Sequence, residues 1–392
     1  MMRSLAARTT MFSASPIREM VLRSAEMANR GIDVVLLHQG EPDFPTPPEI
    51  IAAAKDSMDA GDTKYVPAEG SRELKEAIRE KLRRENGIGN VASDEILVTN
   101  GAKLALFVAV QALIEVGDEV LGVVPYFGPY RDVVACAGGR FVTAELVPSS
   151  DRLELDRDRF KASITRKTKA FLVNTPQNPS GTVWARGDLE YVADLAEEHD
   201  CYILSDEVYE KILFDGRVHH SIASFSPDIK RRTILVNSFS KTYSMTGWRL
   251  GYAMADSALV KAMADLHHAS GRCATAFVQK AGIAALTGSQ ASVAAMVSAY
   301  QARRDIVQQA LSATAGVQPH SIEGTFYAFP DISQFGVGSA TLAAEILESA
   351  HVAVVPGAFF GDDACIRISF ATSTERLVEG LERMQRFFQR GR

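Results

Sequence analysis

The sequence predicts an α/β protein built on an open, mainly parallel sheet, followed by a smaller α+β domain. Short apolar runs alternate with longer helical patterns through the middle of the chain, which is typical of parallel strands covered by helices on both faces. Beyond Phe277 the pattern changes to a long, alanine-rich helical stretch at 278–311. A mixture of strands and a final helix at 373–389 follows, and these features indicate a second, smaller unit.

Six apolar runs are predicted to be strands of the sheet: 95–99, 119–124, 170–174, 201–205, 233–236 and 250–253. Helices are predicted between several of them, for example at 103–114 and 188–199. The long helical stretch would bridge two domains. The predicted divisions are an N-terminal arm that packs with the small domain, a large domain, and a small C-terminal domain with its linking helix: 1–44, 45–285 and 286–392.

The composition excludes several classes of protein. The chain has 392 residues, of which 46% are hydrophobic and 23% are charged, the balance of an ordinary globular protein. Its net charge of −6 gives no basic footprint for nucleic acid. No apolar run approaches the roughly 20 residues that span a bilayer, so we expect no membrane partner. Four dispersed cysteines without a CxxC pair favour reduced thiols and a cytoplasmic location.

Residues 1–20 contain three arginines, several Ser and Thr residues and no acid before Glu19. This composition faintly resembles an organelle transit peptide, but it lacks the apolar core of a secretory signal. We interpret the segment as a flexible arm. The histidine pairs at 219–220 and 267–268 have no Cys or carboxylate at ligand spacing in the sequence, so we expect no metal site.

Ligands of open α/β sheets bind beyond the carboxyl ends of the strands, and polar residues follow several of the predicted strands. Lys241 lies after one of them, between Ser238 and Arg249, and an amine with such neighbours suits a Schiff-base enzyme whose cofactor carries a phosphate. Asp206 closes the preceding strand and would pair with a protonated pyridine nitrogen, with Tyr209 near the phenolic oxygen of the ring. The alternative for Lys241 is a solvated surface lysine, and the alternative for Asp206 is a helix cap.

Three further positions carry weaker signals. The amide of Asn178 would donate to the same ring oxygen, or the residue would only form a turn. The helix start at Gly101, Ala102 and Lys103 offers free N–H groups to a phosphate, although many strand-to-helix turns contain glycine. Arg367 would clamp a substrate carboxylate, or it would face solvent from an edge strand.

Taken in order along residues 15–388, these landmarks resemble the class I/II aminotransferases, which are pyridoxal-phosphate enzymes of fold-type I. The resemblance is carried by Gly40-Glu41-Pro42-Asp43-Phe44, Lys64-Tyr65, Asn100-Gly101-Ala102-Lys103, Asn178-Pro179, Asp206-Glu207-Val208-Tyr209, Ser238 to Lys241, Arg249 and Arg367. It implies a large domain with a mainly parallel seven-stranded sheet between helices, a smaller α+β domain, and pyridoxal 5′-phosphate as the cofactor.

The resemblance also implies roles for individual residues. Lys241 would be the Schiff-base lysine, with Asp206 on the pyridinium nitrogen and Tyr209 and Asn178 on the ring oxygen. The phosphate would be bound by Gly101, Ala102, Lys103, Ser238 and Arg249, and Phe127 would stack on the ring. The substrate would be bound by Gly40, Asn178 and Arg367. Tyr65 would reach the phosphate of the neighbouring subunit, which implies a homodimer with shared active sites.

The implied reaction moves an amino group between an L-amino acid and a 2-oxo acid such as 2-oxoglutarate, with small molecules as the only partners besides the second subunit. The donor stays open between aspartate, aromatic amino acids and a broad range, because the sequence does not locate a second cation for a distal carboxylate. A pyridoxal-phosphate lyase, such as a carbon–sulfur β-lyase, is the alternative. A cofactor-sensing regulator would need an additional N-terminal DNA-binding domain, for which the match leaves no room.

Overall fold

The computed structural model describes residues 5, 6, 9, 16–149 and 152–389. The arm predicted over residues 1–20 therefore lies largely outside the described residues. The helices are α1 (Pro16–Asn29), α2 (Pro48–Asp59), α3 (Arg72–Glu85), α4 (Ala102–Leu113), α5 (Pro129–Cys136), α6 (Arg157–Ala162), α7 (Arg186–Glu198), α8 (Pro227–Arg232), α9 (Phe239–Thr242), α10 (Ser257–Gly271), α11 (Ala276–Thr287), α12 (Ala291–Ser312), α13 (Ser339–Ala350) and α14 (Thr374–Gln389). The strands are β1 (Val35–Leu36), β2 (Ile96–Thr99), β3 (Glu119–Val124), β4 (Arg140–Ser149), β5 (Arg152–Leu155), β6 (Thr168–Asn174), β7 (Tyr202–Asp206), β8 (Thr233–Ser238), β9 (Gly251–Met254), β10 (Tyr327–Ala328), β11 (Val352–Ala353), β12 (Val355–Pro356) and β13 (Ile366–Ser369).

The central sheet has eight strands in the order β2-β9-β8-β7-β6-β3-β4-β5. Strands β8, β7, β6, β3 and β4 are parallel, whereas β9 is antiparallel to both neighbours and β5 is antiparallel to β4. The predicted fold class is confirmed, but the sheet has eight strands and not the seven that the resemblance implied. Strands β4 and β5 were missed because β4 is only partly buried and its sequence lacks a continuous apolar run.

The prediction of one continuous helix over 278–311 is wrong, because this stretch forms two helices, α11 and α12. Helices α11 and α12 are bent by 76° relative to each other. The break begins at Gly288, whose extended backbone (ψ −174°) ends α11. No single described helix is long and apolar enough to cross a membrane, and this bent pair passes that test only when its two helices are taken together. Both helices bury side chains in the protein core, among them Val278 and Val307.

The C-terminal part contains a three-stranded antiparallel sheet, β10-β13-β12, and a parallel pair of β1 with β11. The segment before residue 44 packs against this part. Besides the β1–β11 pairing, the carboxylate of Asp33 accepts hydrogen bonds of 2.9 Å from Arg376 and 2.6 Å from Arg383 of α14. The boundaries of the two domains stay a prediction.

The direction of the strands determines where a ligand can bind. The carboxyl ends of β3, β6, β7 and β8 lie at one edge of the central sheet, because these strands are parallel neighbours. Strand β2 runs in the same direction, since it is antiparallel to β9, which is antiparallel to β8. The residues that follow these five strands therefore converge at this edge. No disulfide joins the four cysteines, all of which lie within the described residues.

Candidate active site

A cavity of about 720 Å³ opens at the carboxyl edge of the sheet and reaches the C-terminal part of the chain. It brings together every residue that the sequence predicted for the site except two, Gly101 and Tyr65. The predicted residues that line it are Gly40, Ala102, Lys103, Phe127, Asn178, Asp206, Tyr209, Ser238, Lys241, Arg249 and Arg367. Residues separated by more than 300 positions in the sequence thus share one concave site.

Asp206 is the last residue of β7 and presents its carboxylate to the cavity. Burial raises the pKa of this carboxyl group from 3.8 to about 6. Two donors stabilise the ionised form: the hydroxyl of Tyr130 at 2.6 Å and the backbone N–H of Val208 at 3.2 Å. Among the described side chains, no lysine or arginine forms an ion pair with it. A cationic ring nitrogen would supply the missing partner.

Lys241 lies in the short helix α9, immediately after β8. Its ammonium group donates a hydrogen bond to the carbonyl of Gly40. Burial, together with the positive charge of Arg367, lowers the pKa of Lys241 from 10.5 to about 8. An amine that loses its proton this readily is suited to act as a nucleophile and as a general base. Because Lys241 and Asp206 line the same cavity, a ring bound there would contact both.

A cradle for an anion lies beside the first turn of α4. Gly101 has a φ of +98°, and a Cβ at this position would lie 2.5 Å from a guanidinium nitrogen of Arg249. The helix start contributes N–H groups that have no acceptor within the helix, and Ser238 and Ser240 lie nearby on the cavity wall. Arg249 also adopts a left-handed backbone (φ +57°). Free helix N–H groups, hydroxyls and a guanidinium together match the phosphate of the expected cofactor.

The cavity wall also contains a buried cation. Arg367 is 1% exposed, and burial lowers the pKa of its guanidinium. It donates to the Oδ1 atom of Asn178 at 3.1 Å and to the carbonyl of His38 at 3.0 Å, and its Nε atom has no partner. No carboxylate contacts it among the described residues. A buried guanidinium without a counter-ion is costly, so the arrangement is suited to a carboxylate ligand.

Several residues that line the cavity were not predicted for the site from the sequence, among them Tyr130, Tyr327 and His38. Tyr130 follows Phe127 by three residues, and their rings make an edge-on contact with centroids 5.5 Å apart. The hydroxyl of Tyr327 lies 3.0 Å from that of Tyr209. Burial, with the charge of Arg367, lowers the pKa of His38 to about 4. Of these three, only Tyr130 leaves a signal in the sequence, because it belongs to the tyrosine-rich run around Phe127.

Tyr65 does not reach the cavity of its own chain. Its side chain is 76% exposed, and its ring lies 4.1 Å from the guanidinium carbon of Arg272. Gly101 does not line the cavity either, but it contacts Arg249, which does. The role expected for Tyr65 therefore depends on a second copy of the chain.

Behind Asp206 lies a buried polar cluster that the sequence did not reveal. The Nε2 atom of His219 lies 2.9 Å from Glu207, and Glu210 is close to both, so the fold brings this histidine two carboxylates that the spacing in the sequence did not indicate. The absence of a metal site stays a prediction. The residues are far apart in the sequence and meet only in the fold. Burial alone would raise the pKa of Glu210, but the contacting ammonium of Lys81 lowers it to about 2. One cation, the ammonium of Lys81, therefore already lies in this cluster.

Comparison with known proteins agrees with this geometry. Residues 32–384 match the family model described as aminotransferase class I and II, and the chain belongs to this family. It is 41% identical over 388 residues to an aspartate aminotransferase of Bacillus sp. (strain YM-2), covering 98% of each chain. It is 40% identical to the aspartate/prephenate aminotransferase of Thermus thermophilus, covering 99% of this chain and 100% of that one.

A solved structure of the aspartate aminotransferase from Rhizobium meliloti superposes with a TM-score of 0.95 at 37% identity and covers 99% of each chain. An aromatic aminotransferase from Pyrococcus horikoshii superposes with a TM-score of 0.88 at 39% identity, covering 94% of this chain and 99% of that one. The chain is therefore a pyridoxal-phosphate-dependent aminotransferase, which transfers an amino group between an amino acid and a 2-oxo acid.

Proposed function

We propose that this enzyme transfers the amino group of L-aspartate to 2-oxoglutarate. The observation that carries the proposal is a second cation on the cavity wall, Lys103, which would bind the distal carboxylate that both substrates share. The buried guanidinium of Arg367, which contacts no carboxylate among the described residues, would bind their α-carboxylate. The relatives from Bacillus and Thermus are named for aspartate, which agrees with this proposal.

A dicarboxylate needs a second cation for its distal group, and Lys103 is our candidate. Its exposed side chain lines the cavity at the first turn of α4, and it forms no ion pair with another described residue. The resemblance assigned Lys103 to the phosphate. The backbone of this turn, Ser238 and Arg249 would provide donors for the phosphate without the lysine side chain, which would leave it for the substrate.

A second class of donor is supported by the apolar wall of the same cavity. Four apolar side chains of α1 and β1 also line the cavity: Val21, Ala25, Ala28 and Leu36. Such a wall would accept an aromatic side chain by removing its surface from water, at about 25 cal/mol per Å². We therefore propose that aromatic amino acids are additional donors.

The proposed roles in the reaction follow from the geometry. Pyridoxal phosphate supplies, when bound, a conjugated ring that accepts the electrons released as the Cα–H bond breaks. Arg367 and Asn178 hold the α-carboxylate, which orients Cα toward Lys241. The Nζ atom of Lys241 takes the proton from Cα and returns it during transfer. The carboxylate of Asp206 would stabilise positive charge on the ring nitrogen of the bound cofactor, and the hydroxyl of Tyr209 would donate to the ring oxygen.

We also propose that two copies of the chain form the active enzyme, with Tyr65 of each copy reaching the cavity of the other. The exposed ring of Tyr65 and its contact with Arg272 support this, since neither residue is used by the cavity of its own chain. A cytoplasmic location stays a prediction, which fractionation of the source cells would test.

Steady-state kinetics with Lys103→Gln test the donor. We expect kcat/KM for aspartate to fall by about 10- to 100-fold, the equivalent of losing a charge-assisted contact of about 1.5–3 kcal/mol, while the value for phenylalanine is unchanged. Lys261→Gln is the matched control, because Lys261 is exposed on α10 and does not line the cavity. Equal losses for both donors, with weaker cofactor binding, would instead assign Lys103 to the phosphate. Ammonia release from an amino acid without any 2-oxo acid would indicate a lyase.

A further inference from the structure

Tyr327 connects groups that the reaction uses separately. It is the first residue of β10, is 1% exposed and lines the cavity. It pairs with Ser369 of β13, so its side chain and that of Arg367, two residues earlier, lie on the same face of this small sheet. The guanidinium carbon of Arg367 lies 4.3 Å from the centroid of the Tyr327 ring, within the range of a cation–π contact.

The hydroxyl end of the same side chain meets the other half of the site. It lies 3.0 Å from the hydroxyl of Tyr209. It would also lie 3.1 Å from a Cβ at Gly40, whose carbonyl accepts the hydrogen bond from Lys241. One phenol therefore contacts the cation that would bind the substrate and the tyrosine expected on the cofactor. It also lies beside the backbone that holds the reactive amine.

The backbone before Tyr327 is held in a strained conformation. Thr325 has a φ of +64°, a left-handed value that a β-branched residue rarely adopts. Its N–H donates to the carbonyl of Ile212 at 2.9 Å, and its hydroxyl accepts from the N–H of Tyr327 at 3.1 Å. Because Ile212 follows Tyr209 by three residues, the segments that carry the two tyrosines are also joined through the backbone. Strain of this kind persists only where the surroundings fix it, and it often marks functional positions.

We propose that Tyr327 is a positioning residue that fixes Tyr209 and Arg367 relative to each other. A phenol has a single proton to donate. If Tyr209 gives its proton to the ring oxygen of the cofactor, it can only accept from Tyr327, so Tyr327 is the donor of this pair. The ring of Tyr327 meanwhile supports the guanidinium of Arg367. This inference rests on the proposed function. Tyr327 would act by positioning Tyr209 and Arg367, without contacting the reacting atoms itself.

Two variants separate the hydroxyl from the ring. In Tyr327→Phe, Tyr209 loses its donor and becomes a weaker donor to the ring oxygen, which therefore keeps more negative charge. We expect the visible absorbance of the bound cofactor to titrate about half to one pH unit higher than in the native enzyme, the effect of one neutral hydrogen bond. The KM of the best amino donor should change less than twofold, since the ring under Arg367 remains. Tyr327→Leu should also raise this KM by about fivefold or more.

Tyr300→Phe is the matched control. It removes another buried tyrosine hydroxyl, one that contacts Asp43 and does not line the cavity, and it should leave the spectral titration unchanged. An unshifted titration in Tyr327→Phe, or an equal KM in both Tyr327 variants, overturns the proposal. Absence of aspartate activity in the native enzyme would refute only the proposed donor, because the titration and the KM comparison use whichever donor the native enzyme accepts. If Tyr327→Leu fails to fold, the titration of Tyr327→Phe still decides.

Discussion

The hydroxyl of Tyr130 donates a hydrogen bond of 2.6 Å to the Oδ2 atom of Asp206, and it is the one side-chain donor to this carboxylate among the described residues. Burial raises the pKa of Asp206 to about 6, and the hydrogen bond from Tyr130 opposes that rise. Tyr130 is itself buried, which raises the pKa of its phenol well above the ordinary value, so it remains a donor at every working pH. The pair therefore keeps the carboxylate ionised near neutral pH.

Tyr130→Phe should raise the pKa of Asp206 further, because a donor to the ionised form is lost. A hydrogen bond to a charged group contributes about 1.5–3 kcal/mol, which corresponds to about one to two pH units. We expect the affinity of the apoenzyme for pyridoxal phosphate to decline as the pH falls, with a midpoint about one unit or more higher than in the native protein. Titration of cofactor binding between pH 5 and 8 measures this.

Tyr126→Phe serves as the control for this measurement. Tyr126 lies in the same run of sequence and packs edge-on against Phe141, but it does not line the cavity. Its variant should keep the native midpoint. Coincident titration curves for the Tyr130 and native proteins would show that the hydrogen bond does not influence the carboxylate.

Most of the site could be predicted from the sequence, because one rule of sheet architecture links chain position to location. Asp206, Lys241 and Asn178 each follow an apolar run that forms a buried strand, and the carboxyl ends of parallel strands share an edge. The number of strands in the central sheet was harder to predict from the sequence. Strand β4 is partly exposed along most of its length, so its pattern does not differ clearly from that of a loop.

The residues that were missed depend on contacts between distant parts of the chain. Tyr327 enters the site because β10 pairs with β13, and His38 enters it because its carbonyl accepts a hydrogen bond from Arg367, 329 positions later. Neither relationship leaves a local pattern in the sequence. The break at Gly288 is a different case, since one glycine in a long helical stretch was visible but does not by itself end a helix.

Lys241→Met should stabilise the apoenzyme at neutral pH. Because burial lowers the pKa of Lys241 to about 8, the unfolded chain binds a proton between pH 8 and 10.5 that the folded chain does not. The stability of the native apoenzyme therefore rises with pH across this window and is lowest below it. Removing the amine should add about 3 kcal/mol to the free energy of unfolding at pH 7 and much less at pH 10.

Urea unfolding of the cofactor-free proteins at pH 7 and pH 10 measures this difference. Lys261→Met is a suitable control, because Lys261 is an exposed lysine of α10 and should show no pH-dependent gain. A gain for Lys241→Met that does not depend on pH would mean that better packing, and not the buried charge, is responsible.

Arg367→Lys should impair all amino donors alike. The substitution keeps the positive charge but loses the planar fork that binds a carboxylate through two parallel hydrogen bonds, and it also loses the contact with Asn178. We expect kcat/KM to fall by about 100-fold for aspartate and for phenylalanine, since the α-carboxylate is common to both. This pattern differs from that of Lys103→Gln, which should affect only the dicarboxylate. A selective loss of aspartate in Arg367→Lys would place the distal carboxylate, and not the α-carboxylate, at Arg367.

Mixing two defective variants would test whether the active sites are shared. Tyr65→Ala should weaken cofactor binding by about 10-fold or more, through loss of a charge-assisted hydrogen bond to the phosphate, and Lys241→Ala should be inactive at any cofactor concentration. If Tyr65 acts on the cavity of the other subunit of a twofold dimer, a mixed dimer contains one site with an intact lysine and an intact tyrosine. After subunit exchange, activity at limiting cofactor should therefore rise above that of either variant alone. If Tyr65 served the cavity of its own chain, no mixed dimer would contain such a site, and the activity of the mixture would equal the average of its components.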